Sequence, residues 1–300
     1  MIQDLMKECT LCPRDCKVDR TMGQRGYCKT CEELIVARAA LHMWEEPCIS
    51  GDEGSGTVFF SGCSLGCVYC QNYNIANGMA GKQISIERLS DIFMELQQQR
   101  ANNINLVTPS HYVPQIIEAI DQARGKGLSI PIVYNSSAYE KVDTLQLLEG
   151  YVDIYLPDLK YMNPEPARLY SRAEDYFEYA SKAINEMVRQ VGYAEFDNRG
   201  MMRKGVIVRH LVLPGHLPDS KDIIRYLYDS YGDTIYISIM NQYTPLPRMA
   251  NDPMMNHKVS AEEYEELIDY AIDIGIENGF IQEGETASES FIPEFNEEGV

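Results

Sequence analysis

Cys63, Cys67 and Cys70 carry the strongest chemical signal in the chain, in the run Gly62-Cys63-Ser64-Leu65-Gly66-Cys67-Val68-Tyr69-Cys70-Gln71-Asn72. They follow directly on an apolar run and are spaced by four and then three residues. Thiolates are soft, strong donors for iron, and three at this spacing can hold three irons of a cubane cluster. The fourth iron is then left without a protein ligand. An open iron is what a cluster needs if it must bind and reduce a small molecule rather than merely relay electrons. Gly62 and Gly66 suit a backbone that wraps close to an inorganic core. The plainer readings are a zinc site or three unconnected core cysteines, but structural zinc normally takes four protein ligands.

A second set of cysteines opens the chain: Cys9, Cys12, Cys16, Cys28 and Cys31, with Cys48 alone between the sets. Cys9-Thr-Leu-Cys12-Pro-Arg-Asp-Cys16 followed by Gly23-Gln-Arg-Gly26-Tyr-Cys28 reads as one folded knuckle. Four of its sulfurs could close around one ion, and Cys31 makes the ligand set ambiguous. Three readings stand side by side: a structural zinc, a second iron–sulfur cluster acting in electron relay, and free or redox-active thiols. Close cysteine pairs in a chain with no visible export signal favour metal ligation over disulfides.

These residues must be positioned by a chain of 300 residues, 45% of them hydrophobic, with a formal net charge of -19. That length allows one large core or two modest ones. The N-terminus has no basic start leading into an apolar stretch, and no apolar run approaches twenty residues, so a cytoplasmic protein without a membrane span is expected. The acidic field disfavours a phosphate backbone. Basic residues are scattered singly or in pairs such as Arg203-Lys204, and no nucleic-acid partner is expected.

Beyond residue 56 the chain alternates short β-branched runs with longer amphipathic ones. Strands are expected at Thr57–Ser61, Ile104–Thr108, Ile130–Tyr134, Val152–Leu156, Val206–Leu213 and Ile235–Met240. Helices are expected near Ile86–Gln99, Val113–Arg124, Val142–Leu148, Ala173–Val191, Ser220–Tyr231 and Ala261–Ile274. Ser85 provides a plain cap, and Ser260 with Glu263 forms a capping box. Pro164-Glu-Pro166 reads as a turn or loop. Six β–α repeats with buried, non-alternating strands imply an α/β fold, a parallel sheet covered by helices. The expected organisation is a cysteine-rich N-terminal extension and linker over 1–56, then one barrel-like domain over 57–300 with a C-terminal helix and tail.

The cysteine loop fits CxxxCx[aromatic]C, with Tyr69 as the aromatic, and resembles the cluster motif of the radical S-adenosylmethionine (SAM) superfamily. The six repeats resemble its partial (β/α)6 barrel. The whole string from Glu45-Glu-Pro-Cys48 to Cys63, continuing through Gln242-Tyr243-Thr-Pro245 to Phe291-Ile-Pro293-Glu-Phe295, is similar to the branch related to pyruvate formate-lyase activating enzymes. The resemblance implies a [4Fe-4S] cluster on Cys63, Cys67 and Cys70 whose open iron binds the amino and carboxylate groups of S-adenosylmethionine. It also implies reductive cleavage to a 5′-deoxyadenosyl radical, with electrons from a low-potential donor such as flavodoxin or ferredoxin.

Further cofactor contacts are implied residue by residue. Tyr69 lies inside the motif, and Asn72 follows it where activases have His-Asn or a similar pair. Asn135, Ser136 and Ser137 resemble polar ribose or carboxylate contacts beyond the third strand. Asp158 and Lys160 resemble the Asp-x-Lys that ends the fourth, and Arg209 the Arg-x-x-Val-x-Pro-Gly of the fifth. Thr108-Pro109-Ser110 stands where the family usually has Gly-Gly-Glu, a departure from the pattern.

Each assignment has a plainer reading. Asp158 and Lys160 could be a solvated pair, and Asn135-Ser136-Ser137 a turn. His111 and His210 near strand ends suit hydrogen-bonded core histidines. Arg209, inside an apolar run, needs a carboxylate partner or a ligand. The leading functional expectation is an activase-like enzyme acting on a glycyl radical protein or peptide. Radical modification of a small metabolite or peptide is the alternative. A non-catalytic iron–sulfur electron-transfer or scaffold protein is a third reading, against which the open iron speaks.

Overall fold

Apolar runs buried on both faces become the central strands, because only a sheet covered on each side can hide them. The computed structural model describes residues 2–282 and 293–300. Its strands are β1 Leu34–His42, β2 Ser55–Phe60, β3 Lys82–Ile84, β4 Ile104–Val107, β5 Ile132–Ser136, β6 Ile154–Pro157, β7 Glu195–Phe196, β8 Met202–Leu211, β9 Tyr236–Met240 and β10 Gly279–Ile281. The helices are α1 Pro47–Ser50, α2 Tyr73–Ala76, α3 Ile86–Gln98, α4 Val113–Gly125, α5 Val142–Gln146, α6 Pro164–Ser171, α7 Tyr176–Val191, α8 Leu217–Tyr231 and α9 Ala261–Asp273.

The sheet runs β10-β9-β8-β6-β5-β4-β2-β1-β3, with β7 beside β8. From β2 to β10 along that path neighbouring strands are parallel, whereas β1 joins β2 antiparallel and β3 joins β1 antiparallel. The sheet is therefore open: the α/β architecture is a partial barrel with a cysteine-bearing N-terminal extension. Every residue of β2, β5 and β6 is buried. Helix α3 turns Leu89, Ile92, Phe93 and Leu96 inward at helical spacing, and α7 does the same with Ala180, Ala183, Ile184 and Met187.

The expected elements form with small shifts at their ends. Ser85 caps α3 through Arg88, and Ser260 and Glu263 make the reciprocal capping box of α9. Two expectations are corrected. Pro164-Glu-Pro166 is the first turn of α6 rather than a loop; Asn163 accepts from the Glu165 amide, and prolines in the first turn lack only N–H groups that a helix start leaves unpaired anyway. Asn135 and Ser136 lie inside β5, not beyond it, because they pair with Leu156 and Pro157 of β6.

The extension is tied to the barrel. Strand β1, within residues 1–56, pairs along β2 from Val36↔Phe60 to His42↔Ser55. The tail returns to β1, where the Ala39 amide donates to Glu298 O at 2.8 Å and Phe295 packs edge-on to Phe59. Of the matching C-terminal string, Phe291 and Ile292 lie outside the described residues. Among the described residues no helix is long and apolar enough to cross a membrane.

Candidate active site

The cysteine loop leaves the C-terminal end of β2, where barrel chemistry gathers. Gly62 takes φ +95°, and a Cβ there would stand 2.4 Å from Thr30 Cγ2 and 2.6 Å from Cys28 O. Only glycine lets the extension and the loop approach this closely. The Arg14 guanidinium completes the junction, donating to the carbonyls of Ser64 and Leu65 at 2.9 and 3.0 Å.

Cys63, Cys67 and Cys70 all line a cavity of about 510 Å³ that runs into the barrel. So do Tyr69, Asn72, Asn135, Ser136, Ser137, Asp158, Lys160 and Arg209, so the fold brings together every site candidate named from the sequence. Thr108 also reaches the cavity, while Pro109 and Ser110 do not line it. His111 and His210 are buried and bonded as core histidines, His111 to Ser61 O and His210 to Leu159 O and Ser220 Oγ.

Arg209 is the electrostatic centre of the cavity. Its Nε donates to Asp158 at 2.8 Å, Nη1 to Glu45 at 2.9 Å and Nη2 to Asn135 at 2.8 Å. Lys160 Nζ meets the other Asp158 oxygen at 2.8 Å. Burial pushes the Asp158 carboxyl up, but Arg209 and Lys160 outweigh it and hold the group below the usual carboxylate range. For Glu45 burial wins over Arg209 and Asn105, and its pKa is raised. Asp158 and Lys160 are a buried pair, not a solvated one, with side chains 15% and 13% exposed.

Glu45 and Glu46 were not among the sequence candidates. Glu45 lies 164 residues from Arg209, beyond the reach of local patterning. The one signal was Arg209 itself, whose buried charge required an acidic partner. Asn105 is a further participant, donating to Glu45 at 3.0 Å.

The donor set suits an iron–sulfur core. Burial pushes the Cys63 thiol up and the Cys70 thiol to about 12, with Lys160 opposing the rise in both. Thiolates in such a place need adjacent positive charge, which iron supplies. Among the described residues no three His, Cys, Asp or Glu side chains group as ligands of one metal ion, in the cavity or in the N-terminal extension. A cubane asks for something else, since each cysteine meets a different iron.

Comparison with known proteins agrees with this architecture. The uncharacterized protein MJ0674 of Methanocaldococcus jannaschii is 28% identical over 278 residues, covering 90% of this chain and 75% of that protein. The fold is similar to that of Streptococcus suis SuiB bound to S-adenosylmethionine, with a TM-score of 0.50 and 13% identity over 76% of this chain and 52% of SuiB. The FeFe-hydrogenase maturase HydG from Carboxydothermus hydrogenoformans gives 0.49 and 14% identity over 78% of this chain and 59% of HydG. This chain thus spans little more than half the length of either solved structure. The family description "Radical SAM superfamily" matches residues 57–227, from β2 and the cysteine loop into α8. With more than half of its length inside that match, the chain belongs to the radical SAM superfamily.

Proposed function

We propose that Cys63, Cys67 and Cys70 hold a [4Fe-4S] cluster, and that the enzyme removes hydrogen from a small metabolite or a peptide side chain seated in the barrel. The observation that supports this most is one cavity shared by three thiols and a buried arginine bonded to three side chains. When bound, the cluster and S-adenosylmethionine supply a reducing electron and a 5′-deoxyadenosyl radical as the hydrogen acceptor.

The remaining work falls to the polypeptide. Ser137 lines the cavity with a buried hydroxyl that has no hydrogen-bond partner among the described residues, and we assign it to the polar edge of S-adenosylmethionine. Asn135 and Asp158 are fixed by Arg209, a positioning residue whose Nε and both Nη atoms each donate to a side chain of the cavity wall. Lys160, held by Asp158, offers positive charge beside Cys63 and Cys70. Tyr69 packs edge-on to Tyr170 and Tyr243 and closes the loop side against water.

A charged lining is chemistry for reading a polar substrate group. A glycine backbone offers the activase reaction no side chain for those charges to recognise. The second reading, a glycyl-radical activase, draws on the Asp158-x-Lys160 and Arg209-x-x-Val-x-Pro-Gly matches.

Anaerobic reconstitution with iron and sulfide, followed by reductant and S-adenosylmethionine, should yield 5′-deoxyadenosine. Replacing Cys63, Cys67 or Cys70 with Ala should abolish it, whereas Cys48→Ala should not. No product from a fully loaded wild-type protein would remove the enzyme reading. A lasting glycyl signal on a partner protein by electron paramagnetic resonance would select the activase.

A further inference from the structure

The lining of the cavity is unevenly charged. Three carboxylates line it, those of Glu45, Glu46 and Asp158, against the two cations Lys160 and Arg209. Asp158 contacts both cations at 2.8 Å, and Glu45 takes the second arm of Arg209 at 2.9 Å. Glu46 is the acid left over. It is only 8% exposed, and its Oε2 has no hydrogen-bond partner among the described residues. It occupies the N-cap position of α1, yet its side chain makes no capping bond. Glu46 is instead among the residues that line the cavity.

A buried carboxylate oxygen without a donor is costly unless a ligand supplies one. Burial and the neighbouring Glu45 push the Glu46 carboxyl up, while Arg209 and Ser238 favour its charged form. An arriving cation would tip that balance toward the carboxylate. The position fits a substrate group and not the cluster. His42, just before this segment, pairs with Ser55 at the start of β2, whereas the cysteine loop leaves the other end of the same strand.

We propose that Glu46 is the recognition residue for a primary ammonium group on the substrate, carried by a small alkylamine or by a lysine side chain of a peptide. One open oxygen suits the point charge of an ammonium. A guanidinium fork asks for two parallel acceptors. This assignment rests on the radical-enzyme reading above but is tested apart from it, because binding is measured without reductant or S-adenosylmethionine.

Isothermal titration of the full chain with 1-aminopentane against 1-pentanol, and with an acetylated lysine pentapeptide against its norleucine counterpart, carries the test. At least one cation should bind about tenfold or more tightly than its neutral counterpart. That preference should vanish in Glu46→Gln and persist in part in Glu46→Asp, which keeps the charge. Which cation is preferred identifies the free amine or the peptide as the source. Equal binding of each charged and neutral pair to the wild-type protein overturns the proposal without recourse to any variant. So does no measurable binding of either cation at millimolar concentration. A Glu46→Gln protein with a native thermal melt that keeps the preference overturns it too.

Discussion

Ser171 Oγ lies 3.2 Å from Cys67 Sγ, a hydrogen bond from the end of α6 to the middle cysteine of the loop. Behind it stand Tyr161, 2.9 Å from Ser171 Oγ, and Tyr69, 2.7 Å from Tyr161. A donor to a ligating sulfur withdraws charge and favours the reduced cluster. Ser171→Ala should therefore lower the reduction potential by about 20–60 mV, the equivalent of one ordinary hydrogen bond in a one-electron couple. Spectroelectrochemistry of the reconstituted protein reads this directly, and an unchanged potential would show that the contact does not tune the sulfur.

Arg14 ties the N-terminal extension to the cysteine loop. Besides Ser64 and Leu65 it donates to Ser171 O at 2.8 Å and Arg172 O at 2.6 Å, and it stacks 3.9 Å from the Tyr27 ring. One planar fork thus ties the cysteine loop to α6, a geometry lysine cannot copy. Both Arg14→Ala and Arg14→Lys should cost about 2–3 kcal/mol and lower the iron retained per chain after desalting. Iron content matching the wild type in both variants would make the extension a bystander to the loop.

The part of this site legible in the sequence is the part encoded locally. The cysteines and the glycines beside them are neighbours in the chain, and the strand rule places them with the polar residues of the other strand ends on one side of the barrel. Arg209 announced a need for an acid but not its address. Glu45 comes from a segment placed by the antiparallel pairing of β1, and Leu34–His42 lacks the repeat that marks the β–α units. Helix α6 was hidden by two prolines, which read as breakers until their place in the first turn is known. The short strand β10 is specified by its parallel partner β9, a contact between Gly279 and Ile237 that no local pattern carries.

The three-armed grip of Arg209 gives the third prediction. Arg209→Met strands the buried carboxylates of Glu45 and Asp158 and should destabilise the fold by about 3–5 kcal/mol. Adding Glu45→Gln removes one of the stranded charges and should recover part of that loss, since burial already disfavours the Glu45 carboxylate. A double-mutant cycle in urea measures the coupling. Strict additivity of the two substitutions would show that the 2.9 Å contact contributes nothing of its own.

Glu140 should make stability fall as pH rises. Its side chain is fully buried, bonded to the Ser110 hydroxyl, and burial pushes its pKa from 4.5 to about 7. The native state therefore holds a proton that the unfolded chain has already released between those values. The stability from the neutral acid is complete below about pH 4.5 and is lost as pH rises through 7, with an upper limit of about 3 kcal/mol from the shift. Glu140→Gln stays neutral throughout and should flatten this portion of the profile, gaining on the wild type most above pH 7. Denaturant melts of both proteins from pH 4.5 to 8 check the sign. A difference between them that stays constant over that range would mean that Glu140 does not titrate there.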